Sequence, residues 1–155
     1  MKAEIMGFSN EYFYQGKLQA AENTEQHFFE NEAILEWIDT AGAGYTDRQE
    51  EESLSTFNPE EALFACKYLN ELIKRIGIST FKENGWTIGL IAPYSAQVRY
   101  LRSLIFESFD FPNLKAFADL ITIDTVDGFQ GQERDLMLIS LTRSNERGEI
   151  GFLAD

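Results

Sequence analysis

The sequence has almost none of the residues from which disulfide frameworks and zinc sites are built. It contains one cysteine, Cys66, and one histidine, His27. A disulfide needs a pair of cysteines and a zinc site needs about four convergent ligands, so the chain can form neither by itself. We therefore expect a reducing, intracellular location: the cytoplasm, or the nucleus in a eukaryote. His27 is expected at the surface or at the edge of the core.

Long apolar runs are also missing. No stretch approaches the roughly 20 apolar residues that a membrane helix needs, and the first residues lack the charged region and apolar run of a secretory signal. We therefore expect no membrane partner. The 155 residues, 44% of them hydrophobic, suit one domain with a substantial core.

Positive charge is scarce. The chain has 13 Lys and Arg residues against 26 Asp and Glu, a formal net charge of −13. Domains that hold nucleic acid by its phosphates normally present a basic face. The balance argues against a self-sufficient nucleic-acid binder, but it allows one wall of a cleft whose other wall lies elsewhere.

Alternating strand and helix patterns predict an α/β fold with a largely parallel sheet flanked by helices. Four segments are predicted to be strands: residues 34–39, 87–92, 120–126 and 135–141. Helical spacing of apolar residues predicts one helix before Gly16 and another that carries Val98, Leu101, Ile105 and Phe109 on one face. Residues 41–57 are acidic, glycine-bearing and aperiodic, which predicts a mobile surface loop.

One further helix has clear start and stop signals. Asn58 suits the N-cap, Pro59 the first helical position, and Glu61 the reciprocal place in a capping box, which we take as its whole role. Cys66 falls on the apolar stripe, so we expect a core residue rather than a reactive thiol. Gly77 is expected to end the helix.

Polar clusters follow three of the predicted strands, at 93–95, 127–133 and 143–145. Ligands of parallel sheets bind beyond the carboxyl ends of the strands, so we expect these clusters to form one site. Gly128 and Gly131 allow a close backbone approach or a positive φ. This loop is not a Walker A loop, and spacing alone leaves a ligand loop and an ordinary turn equally open.

Four segments, in family order, resemble superfamily 1 helicases, nearest to the branch that contains the nonsense-mediated-decay RNA helicase and its DNA-processing relatives. Residues 125–145, TVDGFQGQERDLMLISLTRSN, resemble motif V and the strand after it. Residues 88–97, IGLIAPYSAQ, resemble motif IV. Residues 5–18 resemble the stretch after the family's Gln-Tyr-Arg-Met motif, and residues 148–155 resemble the connection into motif VI.

The resemblance implies a single, partial domain over residues 1–155: the second, C-terminal RecA-like domain, of the P-loop NTPase type, truncated before motif VI. The parent protein is then expected to be an ATP-dependent helicase that moves on single-stranded DNA or RNA. ATP and Mg²⁺ would be held mainly by the missing N-terminal RecA-like domain, which is also the expected partner. No catalytic or metal site is complete in this chain, so the fragment alone is expected to be inactive.

The resemblance also implies roles for individual residues. The positions that match the nucleotide-binding part of motif V are Gln130, Gly131 and Glu133. The positions that match the nucleic-acid path are Pro93, Tyr94, Gln97, Thr125, Asp127 and Arg143.

Structural alternatives stay open for these residues. Glu133 could be a solvated loop acid, Asp127 a helix N-cap, and Gln130 a partner of a neighbouring loop. Tyr94 could lie at the edge of the core, and Arg143 could pair with a nearby carboxylate.

Two other functions also remain open for the chain. It could be a non-enzymatic, acidic α/β module that binds another protein, or part of a nuclease-linked repair helicase.

Overall fold

The computed structural model describes residues 2–22 and 29–151, so His27 lies outside the described residues. The chain divides into two compact units, Met1–Asp39 and Thr40–Asp155. Within the described ranges, no helix combines the length and the apolar character needed to span a bilayer.

In the described part of the first unit, helix α1 spans Ala3–Tyr14. Gln15 and Gly16 follow it with φ of 54° and 73°, so the predicted helix that ends before Gly16 is confirmed. The strand predicted over residues 34–39 is wrong, because these residues form no strand. Leu35 and Trp37 are 67% and 78% exposed. Alternation alone does not make a strand where no neighbouring strand pairs with it.

Over residues 40–151, the second unit contains five strands and four further α-helices. In chain order they are β1 (Arg48–Gln49), β2 (Thr56–Phe57), α2 (Pro59–Ile76), α3 (Ile78–Glu83), β3 (Ile88–Ala92), α4 (Ser95–Arg102), α5 (Pro112–Lys115), β4 (Ile121–Thr125) and β5 (Leu136–Ile139). A π-helical turn, Ser103–Glu107, continues α4, and a 3₁₀ turn, Ala118–Leu120, precedes β4. The main sheet has the order β4-β3-β5 and both pairs are parallel, so the predicted α/β fold is confirmed and is consistent with a RecA-like domain.

One face of the sheet forms the core. Ile88, Leu90 and Ala92 of β3 are fully buried on this face. Helix α4 contacts β3 and β4 there, and α2 packs against α4. Short apolar runs in the sequence predicted the three strands of this sheet correctly because burial on a parallel sheet demands them.

The predicted apolar face of α4 holds for its first three residues and fails at the fourth. Val98, Leu101 and Ile105 are buried, but Phe109 is 89% exposed. The helix continues as a π-helical turn that ends at Glu107, and Ser108 is already extended, so Phe109 lies beyond the helical segment and outside its apolar stripe.

Part of the opposite face of the sheet is covered by the connection from β4 to β5, residues 126–135, which contains no helix. Phe129 is the buried side chain of this connection. It lies against Gly89, where an added Cβ would be 3.0 Å from Phe129 Cε1 and 2.6 Å from Met137 Sδ. Glycine at position 89 therefore lets the connection lie close to the sheet.

The predicted acidic loop has a regular part. Strands β1 and β2 form an antiparallel hairpin in which Arg48 pairs with Phe57. Glu50, in its turn, accepts hydrogen bonds from Ser53 and from Arg99 of α4, and these two contacts, in that order, lower the pKa of Glu50. The acidic turn is therefore attached to α4 in this structure.

Candidate functional site

The carboxyl ends of β3 and β5 lie side by side and bring two of the polar clusters together. Tyr94 follows β3 and Arg143 follows β5. Both side chains lie under Gly151, where an added Cβ would be 2.5 Å from Tyr94 Oη and 3.0 Å from Arg143 Nη1. Burial acts to lower the pKa of Arg143, but its hydrogen bond with Tyr94 and the nearby Asp47 carboxylate outweigh this effect and raise it.

Asp47 connects the predicted loop to the segment after β5. Its Oδ2 accepts hydrogen bonds from Ser144 N at 2.9 Å and Asn145 Nδ2 at 3.1 Å, and lies 2.9 Å from Arg143 Nε. Asp47 N donates to Ser144 O at 2.8 Å. The side chains of Arg143 and Asp47 are only 15% and 13% exposed. Arg143 thus pairs with a nearby carboxylate, which was one of the two roles left open for it. To contact nucleic acid, Arg143 would have to separate from Asp47 or use only the exposed 15% of its side chain.

Glu61 has a role that the sequence did not predict. Its Oε1 accepts hydrogen bonds from Ser140 Oγ at 2.6 Å and from Thr142 N at 2.9 Å. Asn58 caps α2 as predicted, since its Oδ1 accepts from Glu61 N at 3.0 Å. The reciprocal half of the capping box is wrong, because Asn58 N donates to Gln97 Oε1 at 2.8 Å instead.

Gln97, predicted to lie near the nucleic-acid path, is fully buried. Its Nε2 donates to Ser140 Oγ at 2.9 Å and to Asn58 O at 3.3 Å. A side chain without exposed surface cannot touch a bound strand in this conformation. Gln97 instead joins the start of α2 to the end of β5, while Pro93 and Tyr94, in the same segment, are half-buried at the carboxyl edge.

The backbone at Thr142 adopts a rare conformation. Thr142 is fully buried and has a φ of 72°. Arg143 N donates to Leu141 O at 2.8 Å, which closes a γ-turn around Thr142. A β-branched residue in the left-handed region is a genuine outlier, and such strain concentrates at functional sites.

The connection after β4 begins at the carboxyl edge. Thr125 Oγ1 accepts a hydrogen bond from Gly128 N at 3.2 Å, and Asp127 is exposed. The alternative that Asp127 caps a helix is wrong, because no helix follows it. Gly128 provides the close approach that was predicted, since an added Cβ would lie 2.4 Å from Asp124 Cγ. Gly131 provides the positive φ, 77°.

The connection ends at the opposite edge of the sheet. Arg134 Nη2 donates to Thr122 Oγ1 at 3.1 Å, and Asp135 Oδ2 accepts from Thr87 N at 2.7 Å. The expected single site is therefore only partly right. Because β5 is parallel to β4, the chain must return to the amino edge before β5 begins, and without a helix the connection itself makes that return.

The middle of the connection is open to solvent. Gln130, Gly131 and Glu133 are all exposed, and no atom lies within 4 Å of the position that a Cβ on Gly131 would take. The loop is held by its other residues, through buried Phe129 and the Arg134 contact with Thr122. A ligand could therefore approach the backbone at Gly131 without displacing the fold.

Comparisons with known proteins agree with this architecture. Residues 1–155 match the sequence model of a protein family described as an AAA domain. The chain is 31% identical to the DNA polymerase alpha-associated DNA helicase A of Saccharomyces cerevisiae, 33% to the DNA-binding protein SMUBP-2 of Rattus norvegicus, and 34% to the ATP-dependent helicase MJ0104 of Methanocaldococcus jannaschii. Each alignment covers 100% of this chain but only 23%, 15% and 22% of the respective relative. The chain thus spans under a quarter of the length of these proteins.

Proposed function

Because the chain belongs to the AAA-domain family and is a helicase-like domain of superfamily 1, we propose that it is the C-terminal RecA-like domain of an ATP-dependent helicase. It would form one wall of the ATP cleft and part of the path of a single-stranded DNA or RNA. The observation that carries this proposal is the connection over residues 126–135, whose exposed polar middle is held in place by residues on either side.

The exposed middle of that connection fits one wall of a nucleotide site. The Gln130 amide can donate and accept hydrogen bonds, and the Glu133 carboxylate can accept them from ribose hydroxyls. Gly131 leaves its backbone accessible. We assign Mg²⁺ mainly to the other RecA-like domain because the resemblance to superfamily 1 helicases implies it. Bound ATP would supply the free energy of phosphoryl transfer that drives movement.

The carboxyl edge of the sheet fits the nucleic-acid path. Thr125 and Asp127 lie at the end of β4, and Pro93 and Tyr94 lie at the end of β3. Gln97 and Arg143 stand behind this edge, where their hydrogen bonds hold it together. The net charge of −13 fits a domain that holds its strand only with the help of a second domain.

The proposal is tested in the full-length protein with Glu133→Ala. Removing this carboxylate should raise the KM for ATP about tenfold, roughly 1.4 kcal/mol of lost binding. Glu51→Ala is the matched control, because Glu51 is an exposed acid in the hairpin turn and should leave the ATPase unchanged. Wild-type ATPase and unwinding in Glu133→Ala would remove the nucleotide role of that residue. A wild-type protein that hydrolyses no ATP on single strands would overturn the helicase proposal itself.

The strong negative charge also favours a second candidate, a non-enzymatic module that binds a basic protein surface. This candidate predicts that residues 126–135 make no nucleotide contact even when the first RecA-like domain is present. Protection of their amides from hydrogen exchange on addition of ATP to the full-length protein would exclude it.

A further inference from the structure

The segment Ser140–Asn145, which follows β5, is held between two carboxylates from distant parts of the second unit. Glu61 accepts hydrogen bonds from Ser140 Oγ and Thr142 N. Asp47 accepts from Ser144 N and Asn145 Nδ2 and pairs with Arg143. We call this pair of acids the carboxylate clamp. It engages backbone N–H groups as well as side chains, so it sets the path of the chain.

The contacts of Glu61 and those of Asp47 adjoin each other at the strained turn around Thr142. Thr142, at the centre of the γ-turn, has a positive φ and no exposed surface. Such a conformation persists only where its surroundings over-determine it. Here the start of α2 fixes both sides of the residue, because Glu61 binds Thr142 N and Asn58 Nδ2 donates to Thr142 O at 3.2 Å.

The turn at Thr142 determines where Arg143 lies at the carboxyl edge of the sheet. Immediately after it, Arg143 lies between Asp47 and Tyr94, and the backbone of Ser144 pairs in both directions with Asp47. An extended residue at position 142 would continue the direction of β5 and carry Arg143 away from Tyr94. The conformation at Thr142 therefore places the Arg143–Tyr94 pair beside the end of β3.

We propose that Glu61 is a positioning residue for the nucleic-acid surface at the carboxyl edge. It holds the strained turn at Thr142, and the turn places Arg143 against Tyr94. Glu61 itself does not contact the strand. This inference rests on the proposed function, since that function assigns the carboxyl edge to nucleic acid.

The test uses the full-length protein and three measurements: the oligonucleotide concentration that half-stimulates the ATPase, the ATPase rate at saturation, and the Tm. Glu61→Ala should raise the half-stimulating concentration about tenfold, because the edge is displaced. The saturated rate should stay within about twofold, since the proposed nucleotide residues lie elsewhere. Glu61→Gln keeps an oxygen acceptor and should restore most of the affinity.

Glu71→Ala is the matched control. Glu71 lies on the same helix, is exposed, and pairs with Lys74 at 2.7 Å, so its removal should change none of the three measurements. A second variant, Thr142→Gly, tests the turn without removing its anchor. Glycine tolerates the positive φ without strain and keeps the backbone N–H and C=O that Glu61 and Asn58 bind, so the turn should form and the half-stimulating concentration should stay within about twofold of the wild-type value.

The outcomes separate the two proposals. If Glu61→Ala lowers the Tm and the saturated rate together while the half-stimulating concentration stays at its wild-type value, Glu61 is only structural and the inference is wrong. The inference is also wrong if Glu61→Gln, which keeps an acceptor oxygen, loses as much affinity for the oligonucleotide as Glu61→Ala. If single strands do not stimulate the wild-type ATPase at all, the proposed function fails, and the assignment of Glu61 fails with it.

Discussion

Cys66 shows how burial determines the chemistry of a single residue. The side chain has no exposed surface and lies on the apolar stripe of α2, as its spacing predicted. Burial raises the pKa of the Cys66 thiol to about 12. The thiolate is the reactive form, so this cysteine is inert at neutral pH. The predicted core role of Cys66 is confirmed.

The first prediction follows from that burial. At pH 8, Ellman's reagent should react with Cys66 in the folded chain at least about 100-fold more slowly than in guanidinium. Cys66→Ser, measured in guanidinium, gives the background because the chain has no other cysteine. Rapid labelling of Cys66 in the native chain would mean that the apolar face of α2 becomes accessible to solvent.

The same shift has a consequence for stability. Because the folded-state pKa lies above the unfolded value, the neutral thiol stabilises the fold fully below the unfolded pKa of about 9. This contribution is lost as the pH rises from there towards 12.

Glu61 shows the limit of local inference at the residue scale. Its position three residues after Asn58 fits a capping box, and the N-cap half of that box is present. The carboxylate nevertheless binds Ser140 and Thr142, which lie 79 and 81 residues further along the chain. Nothing in the neighbouring sequence signals such partners. Asp47 was missed for the same reason, because its donors lie at residues 143–145.

At the scale of elements, the start of α2 is the point where helix, sheet and segment Ser140–Asn145 meet. Asn58 caps the helix through Oδ1 and supports Thr142 O through Nδ2, and it is fully buried. Losing the cap costs about 1 kcal/mol, and an unsatisfied buried carbonyl costs about 1–3 kcal/mol more.

We therefore expect Asn58→Ala to lower the free energy of unfolding by about 2–4 kcal/mol in urea titrations of the chain. The free energy of unfolding of Asn58→Asp should lie between those of the wild type and Asn58→Ala, because aspartate keeps the oxygen that caps α2 and loses the amide that donates to Thr142 O. Asn84→Ala removes an exposed amide that bonds Thr80 O, and should change stability by less than about 0.5 kcal/mol. An Asn58→Ala effect as small as the Asn84→Ala effect would contradict the double role of Asn58.

Elements were predicted well where burial on the sheet dictates the sequence, and poorly where tertiary contacts decide. The three strands of the main sheet fall within the predicted segments, and α2 begins and ends as expected. The segment 34–39 has an alternating pattern but no partner strand in the described part of its unit. Phe109 is exposed because the helical segment ends at Glu107, two residues before it.

At the scale of the whole molecule, the proposed cleft is divided between domains. The nucleotide residues that we propose in this chain are Gln130, Gly131 and Glu133, and its sequence contains no Walker A loop. Calorimetry of the isolated chain with a non-hydrolysable ATP analogue and magnesium should show no binding tighter than millimolar, about −4 kcal/mol. Micromolar binding would mean that the chain holds a complete site, and the two-domain proposal would then need replacing.

The sequence predicted the α/β class and the polar loops of the molecule but not their arrangement. Strand order and register come from pairings between β3, β4 and β5 that no single segment encodes. The prediction that all three loops share one edge rested on the rule that ligands of parallel sheets bind beyond the carboxyl ends of the strands. Residues 126–135 instead run directly from the carboxyl edge back to the amino edge. Glu133 therefore lies near the amino edge, whereas Arg143 lies at the carboxyl edge.

The position of β5 also affects how the chain behaves in a test tube. Among the described strands it is an outer one, and Met137 and Ile139 on its open face are 39% and 60% exposed. An outer strand with apolar side chains offers unpaired backbone groups on which another chain can add a strand. Self-association at high concentration would then arise from a well-folded edge, and high salt, which screens the repulsion between molecules of charge −13, would promote it.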